Sequence, residues 1–228
     1  MNKNVNEEKV VIKRFFGNKT QEYSAVVENG FVDISNNESI STDNIYFMDQ
    51  IHSDMVVNLD DMQKNDTYIA PKCDALITTM AYTFLAVKTA DCYPILVYDE
   101  INHVISAIHS GCESTRLKII ENVIKIMYNR YNSKPENIKI EIGAGISAKN
   151  YQVSEDIVCS FQNTFDDKSL GEYLDLRKII IDTVIKNDIL EKNITSCTDC
   201  TFEDNNYYSF RRDKTQKRQL SIIGMVYE

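Results

Sequence analysis

Three histidines and six cysteines carry most of the chain's capacity for metal or nucleophilic chemistry. Cys92 stands just before an apolar run, Pro94 to Tyr98, and His109 just after another, His103 to Ile108. Read as antiparallel strands joined by a short turn, the two runs bring Cys92 and His109 together. Each strand advances about 3.3 Å per residue, so the outward and return legs cancel. His52 lies between shorter apolar runs, Ile45 to Met48 and Met55 to Val57, at a strand edge or turn. The set His52, Cys92 and His109 suits zinc: two imidazole nitrogens and a thiolate leave a fourth tetrahedral position open. An open position lets a metal acidify water or polarise an oxygen. The same thiol and imidazole also suit a metal-free nucleophile, Cys92 activated by His109. A third reading makes Cys92 a packed thiol and the histidines ordinary residues, and the spacing alone leaves all three open.

The other candidates are weaker. His103 falls in the expected hairpin turn and reads as an exposed residue without a role. Cys197-Thr198-Asp199-Cys200 has no second pair to complete a zinc knuckle, and it does not open a helix after a strand as a redox pair would. It reads as packing or local chain geometry. Arg211 and Arg212 follow an aromatic run and have the guanidinium geometry that holds a substrate anion, unless Asp204 or Asp213 pairs with them. Gly143-Ala144-Gly145 is too short for a nucleotide fingerprint.

Several elements position these residues. Val10 to Phe16 reads as a strand, and Asp74 to Thr79 and Phe84 to Lys88 as strands buried on both faces, because their apolar runs do not alternate. Ile120, Val123, Ile124, Met127 and Tyr131 share one helical face, with Ser114 or Thr115 as the expected cap and Pro135 beyond the end. Ile138 to Ile142 reads as a strand and Ser154 as the cap of a second helix. Tyr173 to Leu176 reads as a strand and Lys178 to Leu190 as a third helix. Ile194 to Cys197, Tyr207 to Phe210 and Leu220 to Tyr227 close the chain as strands. The polar stretches Asp33 to Thr42 and Asp60 to Asp66 read as loops.

At 228 residues the chain can bury a sizeable core, and no Pro-, Gly- or Ser-rich linker divides it. The expectation is one domain over residues 1–228, a mixed α/β (α+β-like) fold. Its net charge of −9 repels nucleic acid and anionic membrane surfaces, so neither is an expected partner. The N-terminus, Met1 to Glu8, is polar, and no apolar run approaches the roughly 20 residues of a membrane helix. A cytoplasmic protein with reduced thiols is expected.

Seven ordered motifs carry a more specific signal: Gln50-Ile51-His52, Asp74-Ala75-Leu76-Ile77-Thr78, Thr89-Ala90-Asp91-Cys92-Tyr93-Pro94, His109-Ser110-Gly111, Tyr151-Gln152-Val153, Cys197-Thr198 and Ser209-Phe210-Arg211-Arg212-Asp213. In this order, over roughly residues 45 to 225, the chain resembles the multicopper polyphenol oxidoreductase, or laccase-domain, family. Members of that family are described as purine nucleoside phosphorylases with adenosine deaminase activity. The resemblance implies a single α/β domain whose sheet layers are flanked by helices. It implies that His52, Cys92 and His109 are zinc ligands at a catalytic site. The implied partners are phosphate and purine nucleosides (adenosine, inosine or guanosine), and the implied reaction is phosphorolysis of the N-glycosidic bond. Adenosine would be deaminated by metal-activated water. Arg211 would neutralise phosphate, and Gln50 and Asp74 would contact ribose or base.

The chain departs from that family just after His109. Where the family has Ala-Gly-Trp-Arg-Gly, this sequence has Ser110-Gly111-Cys112-Glu113-Ser114, so a cation has become an acid. If that arginine serves phosphate, phosphorolysis is the activity most exposed to its loss. A divergent metal-binding homologue with reduced or altered activity, and a Cys92/His109 hydrolase, are therefore the alternatives. Copper also suits one Cys-His-His centre. The multicopper mechanism does not survive, because three histidines cannot ligate a trinuclear cluster.

Overall fold

The structure, a computed structural model, describes residues 9–35, 38–62 and 68–228. In chain order the elements begin with β1 (Val10–Phe16), α1 (Tyr23–Asn29), β2 (Phe31–Ser35), β3 (Glu38–Ser41), β4 (Ile45–Tyr46), β5 (Val56–Asn58), β6 (Ala75–Thr78) and β7 (Thr83–Thr89). Then come β8 (Tyr93–Asp99), β9 (Val104–Ser110), α2 (Cys112–Arg116), α3 (Ile119–Tyr131), β10 (Ile138–Ile142) and α4 (Glu155–Phe165). The chain ends with α5 (Leu176–Lys186), β11 (Ile194–Ser196), α6 (Phe210–Asp213) and β12 (Gln219–Tyr227). The polar segment 1–8 and residues 63–66 of the expected Asp60–Asp66 loop lie outside the described residues. Among the described residues no helix is long and apolar enough to cross a membrane.

Two mixed sheets stack face to face. One has the order β1-β12-β7-β4 and the other β11-β10-β8-β9-β6-β5. The central strands read as unbroken apolar runs because each face meets a different core. On β8, Ile95 and Val97 face a layer of helices, while Leu96 and Tyr98 fill the space between the sheets. On β9, Val104 and Ile108 face the helices, and Ile105 and Ala107 the opposite sheet. The outer face of the four-stranded sheet is covered by Val26 of α1 and by the β2–β3 hairpin, whose Val32 and Ile40 pair directly. This is the expected mixed α/β fold, with sheets flanked by helices.

The local expectations met several corrections. Asp33 to Thr42 is mostly strand rather than loop, because the buried pair Val32 and Ile40, with Ile34 packed beside it, holds a hairpin whose remaining positions within that stretch are polar. The helix expected to be capped by Ser114 or Thr115 starts later, at Ile119 (α3), and a separate short helix, α2, opens at Cys112 before it. Both hydroxyl residues are buried inside α2, where Thr115 bonds Ser110 at 2.8 Å. Lys118, at φ 60°, then redirects the chain into α3. Ser154 precedes α4 as expected, but its hydroxyl makes no capping bond. Tyr173 only bridges Gln152, and Asp175 caps α5 by accepting the Lys178 N–H. Tyr207 to Phe210 is not a strand: Ser209 caps the single turn of α6.

Asp60 belongs to the frame rather than to an exposed loop. Its carboxylate accepts from the Thr78 and Thr79 hydroxyls, the Thr79 N–H and the Tyr131 hydroxyl, at 2.6 to 3.2 Å. Burial pushes its pKa up, but these donors outweigh burial and hold it below the ordinary carboxylate range. A depressed folded-state pKa adds stability above the unfolded value, about 3.9, that disappears as pH falls through the folded one. Asp60→Asn is therefore expected to cost about 1–3 kcal/mol at pH 7 in urea unfolding. The gap to wild type should close in acid below about pH 4. A gap unchanged between pH 7 and pH 3 would refute this role.

Candidate active site

The candidate site lies where β6 and β8 begin and where β7 and β9 end. Pro94 pairs with His109 and Tyr93 with Ser110, so Cys92 and Gly111 meet just beyond the hairpin. His52 comes from the loop between β4 and β5. One donor atom from each of His52, Cys92 and His109 lies within 4.8 Å of the others. The two imidazoles meet edge to face, with ring centres 4.8 Å apart. His109 is buried, Cys92 half-buried and His52 exposed, so the set opens outward from a fixed base. Gly111 is needed there, because a Cβ on it would stand 2.8 Å from Cys92 Sγ and 3.3 Å from the His52 ring.

Asp74 holds this set from behind. It is fully buried, and one oxygen accepts from the His52 N–H at 3.0 Å and from His109 Nδ1 at 2.7 Å. The other accepts from the N–H groups of Ile51 and Ser53 and from the Ser53 hydroxyl. Burial raises its pKa, but the His109 bond and the Ser53 donors hold it below the usual range, so it is a carboxylate that can only accept. His109 must then carry its proton on Nδ1, which frees Nε2 for a ligand. Burial also pushes the His109 pKa down, against the pull of Asp74, which keeps the ring neutral. A neutral imidazole with a fixed tautomer, a second imidazole and a thiol fit a metal ion by donor chemistry. Asp74, expected at the substrate, bonds the His52 N–H and His109 Nδ1 instead, and it does not line the cavity.

A cavity of about 610 Å³ opens over the three donors. Gln50 reaches its wall, but its amide is occupied: it accepts the Lys88 N–H and donates to the Lys88 carbonyl, both at 2.8 Å. Arg211 lies in the wall, stacked 5.1 Å from the Tyr151 ring and donating to the Gln152 carbonyl. Asp91 anchors that wall from φ 90°, a conformation an L-residue rarely adopts. It accepts from the Thr201 hydroxyl at 2.7 Å and from the Arg211 N–H at 2.6 Å. Arg212 points elsewhere, to Asp213 and to the carbonyls of Thr201, Phe202 and Tyr207. Cys200 tethers its loop by accepting from the Ser147 N–H at 3.2 Å, in keeping with a role in chain geometry. All six cysteines are unbridged. His103, half-buried in the hairpin turn at φ 53°, is far from this cluster in the fold.

Sequence reasoning missed Lys88, Arg218, Tyr151 and Phe210 as parts of the wall. Lys88 gave one signal, a lone cation ending a buried apolar strand. The others sit in segments without periodicity. Glu113 also behaves differently from the departure at its position. It is held by Arg116 at 2.8 Å beside a neighbouring recess, so no acid enters the cavity there.

Known proteins place this arrangement in context. Residues 15–226 match the model of a family described as multi-copper polyphenol oxidoreductase laccase. A purine nucleoside phosphorylase of Campylobacter jejuni is 35% identical over 179 residues, which cover 78% of this chain and 75% of that one. One from Corynebacterium glutamicum is 31% identical over 194 residues, covering 83% and 77%. The crystal structure of YlmD from Geobacillus stearothermophilus shares the fold, with a TM-score of 0.74 at 23% identity over 82% of this chain and 75% of that one. Because the family match runs through nearly every element that builds the cavity, the chain belongs to the multi-copper polyphenol oxidoreductase laccase family.

Proposed function

We propose that the chain is a zinc-dependent purine nucleoside phosphorylase acting on adenosine, inosine or guanosine, with hydrolytic deamination of adenosine at the same site. The observation that carries this reading is one cavity in which the His52–Cys92–His109 donor set meets aromatic faces and cations that form no ion pair among the described residues. The names of the Campylobacter and Corynebacterium relatives supply the substrate class. Zinc held by these three residues would supply Lewis-acid polarisation of an oxygen and acidification of water.

Phosphorolysis breaks the bond between the ribose C1′ and the purine nitrogen, and the electron pair leaves with the base. A phosphate oxygen forms the new bond to C1′, and the hydrogen of hydrogen phosphate ends on the base. Deamination replaces the C6 amino group with oxygen from water and releases ammonia. The chain's own part is binding and orientation. Tyr151 and Phe210 offer flat apolar surface to a purine, and Arg211 beside them offers guanidinium donors. Gln50 and Asp74 act on the substrate indirectly, one by fixing the Lys88 backbone and the other by fixing both imidazoles.

A metal-free Cys92 hydrolase is less well supported. Desolvation, reinforced by the charge of Asp91, pushes the Cys92 thiol up to about 12. Without a metal it is a thiol, not the thiolate a nucleophile needs.

Zinc-loaded protein mixed with inosine is expected to release hypoxanthine and ribose 1-phosphate only when phosphate is present. With adenosine, inosine should form without phosphate. Unchanged nucleosides at high enzyme concentration would overturn the proposal and favour the divergent metal-binding reading.

A further inference from the structure

We infer that Lys88 and Arg218 together form the seat for inorganic phosphate, leaving Arg211 to the nucleoside. The inference rests on the phosphorolytic reading but can fail separately from it. The sheet register brings the two cations together: Leu220 pairs with Lys88, and Arg218 stands two residues before Leu220. Both side chains line the cavity.

Each is held in place by contacts that, among the described residues, leave its charge uncompensated by a carboxylate. Gln50 clamps the main chain of Lys88 at both its N–H and its carbonyl. The Lys88 ammonium lies 4.6 Å from the centre of the Tyr23 ring. The Arg218 carbonyl accepts the Tyr23 N–H at 2.9 Å, and its guanidinium donates through Nη1 to the carbonyls of Thr215 and Lys217. Its remaining guanidinium donors have no partner among the described residues.

The charges are not cancelled. Among the described residues neither Lys88 nor Arg218 has a carboxylate within 4.0 Å. Of the two aspartates on the cavity wall, Asp91 has its oxygens bonded to Thr201 and to the Arg211 N–H, and Asp49 reaches Lys88 only through space. Burial pushes the Lys88 ammonium pKa down; Asp49 opposes that and the charge of Arg218 adds to it. Two half-buried cations side by side, in a protein of net charge −9, are favourable once an anion lies between them. A tetrahedral oxyanion matches a guanidinium fork beside a compact ammonium. Arg218 and Lys88 line the same cavity as Cys92 and His109, which places the anion beside the donor set. Arg211 already donates to Gln152 and covers the Tyr151 ring, a placement suited to a purine or ribose.

The test compares full-length, zinc-loaded wild type with Lys88→Met, Arg218→Met and Arg211→Met. Inosine phosphorolysis gives the half-saturating phosphate, and calorimetry with inorganic phosphate alone gives binding without turnover. Lys88→Met and Arg218→Met are each expected to weaken phosphate by at least about tenfold in both readings. Arg211→Met should weaken inosine and leave phosphate within about threefold. Lys88→Arg and Arg218→Lys keep the charge and should recover most of the phosphate affinity, which separates charge from damage to the fold. Phosphate affinity that falls only in Arg211→Met, or that Lys88→Met and Arg218→Met leave intact, overturns the inference. If wild type turns over no nucleoside, the phosphorylase reading fails, and calorimetry still decides the anion seat.

Discussion

Asp74→Asn is expected to remove both metal affinity and stability, although Asp74 touches neither cavity nor substrate. Five donors converge on its carboxylate: the N–H groups of Ile51, His52 and Ser53, the Ser53 hydroxyl and His109 Nδ1. An asparagine of the same shape turns an NH₂ group toward donors on one side, so at least two buried groups lose their partner. Breaking a buried charged network from one side typically costs about 3–5 kcal/mol. The loop that carries His52 is held in its left-handed turn, φ 58°, by this same carboxylate, so its ligand is released together with the tautomer of His109. Outer partners of this kind are worth about 10–100-fold in metal affinity. Denaturant unfolding and a zinc competition titration measure the two effects. A folded Asp74→Asn protein with wild-type zinc affinity would contradict this account of the site.

The same residue shows what could be read from the sequence. The hairpin that joins Cys92 to His109 was legible because two long apolar runs with a polar turn between them fix both pairing and length. The mixed sheets and the main helices were legible for similar reasons. Asp74 was visible as a motif residue, but its direction was not. A carboxylate at the start of a buried strand can face either a cavity or the backbone behind it, and only the fold of the His52 loop decides. Gln50 is similar: its amide mimics a strand partner for Lys88, a relation across 38 residues that no local pattern contains. The α2–α3 break was hidden because Ser114 and Thr115 look like caps, whereas both are buried against the end of β9, where Thr115 bonds Ser110 and the Ser114 hydroxyl has no partner among the described residues. The left-handed residues His52, Asp91 and Lys118 carry no compositional mark at all. They are imposed by tertiary contacts, and two of them stand at the site.

Metal content separates the readings of Cys92 most directly. In His52→Ala, Cys92→Ala and His109→Ala, zinc retained after dialysis against a competing chelator is expected to fall from one per chain to near zero. Each loss should exceed the roughly 100-fold that an outer partner is worth, because two remaining donors no longer enclose an ion. The order should follow burial. His109 is buried and braced by Asp74, and Cys92 lies beneath the cavity, so their removal leaves only one fixed donor beside the exposed His52. His52→Ala keeps the two fixed donors and should retain the most affinity of the three. Zinc binding must also displace the Cys92 proton, since burial keeps the free thiol protonated up to about pH 12. Wild type loaded at pH 8 should therefore release about one proton per zinc, and Cys92→Ala should release none. A Cys92→Ala protein that keeps stoichiometric zinc but loses activity would instead make Cys92 a nucleophile. The uncharged thiol argues against that outcome.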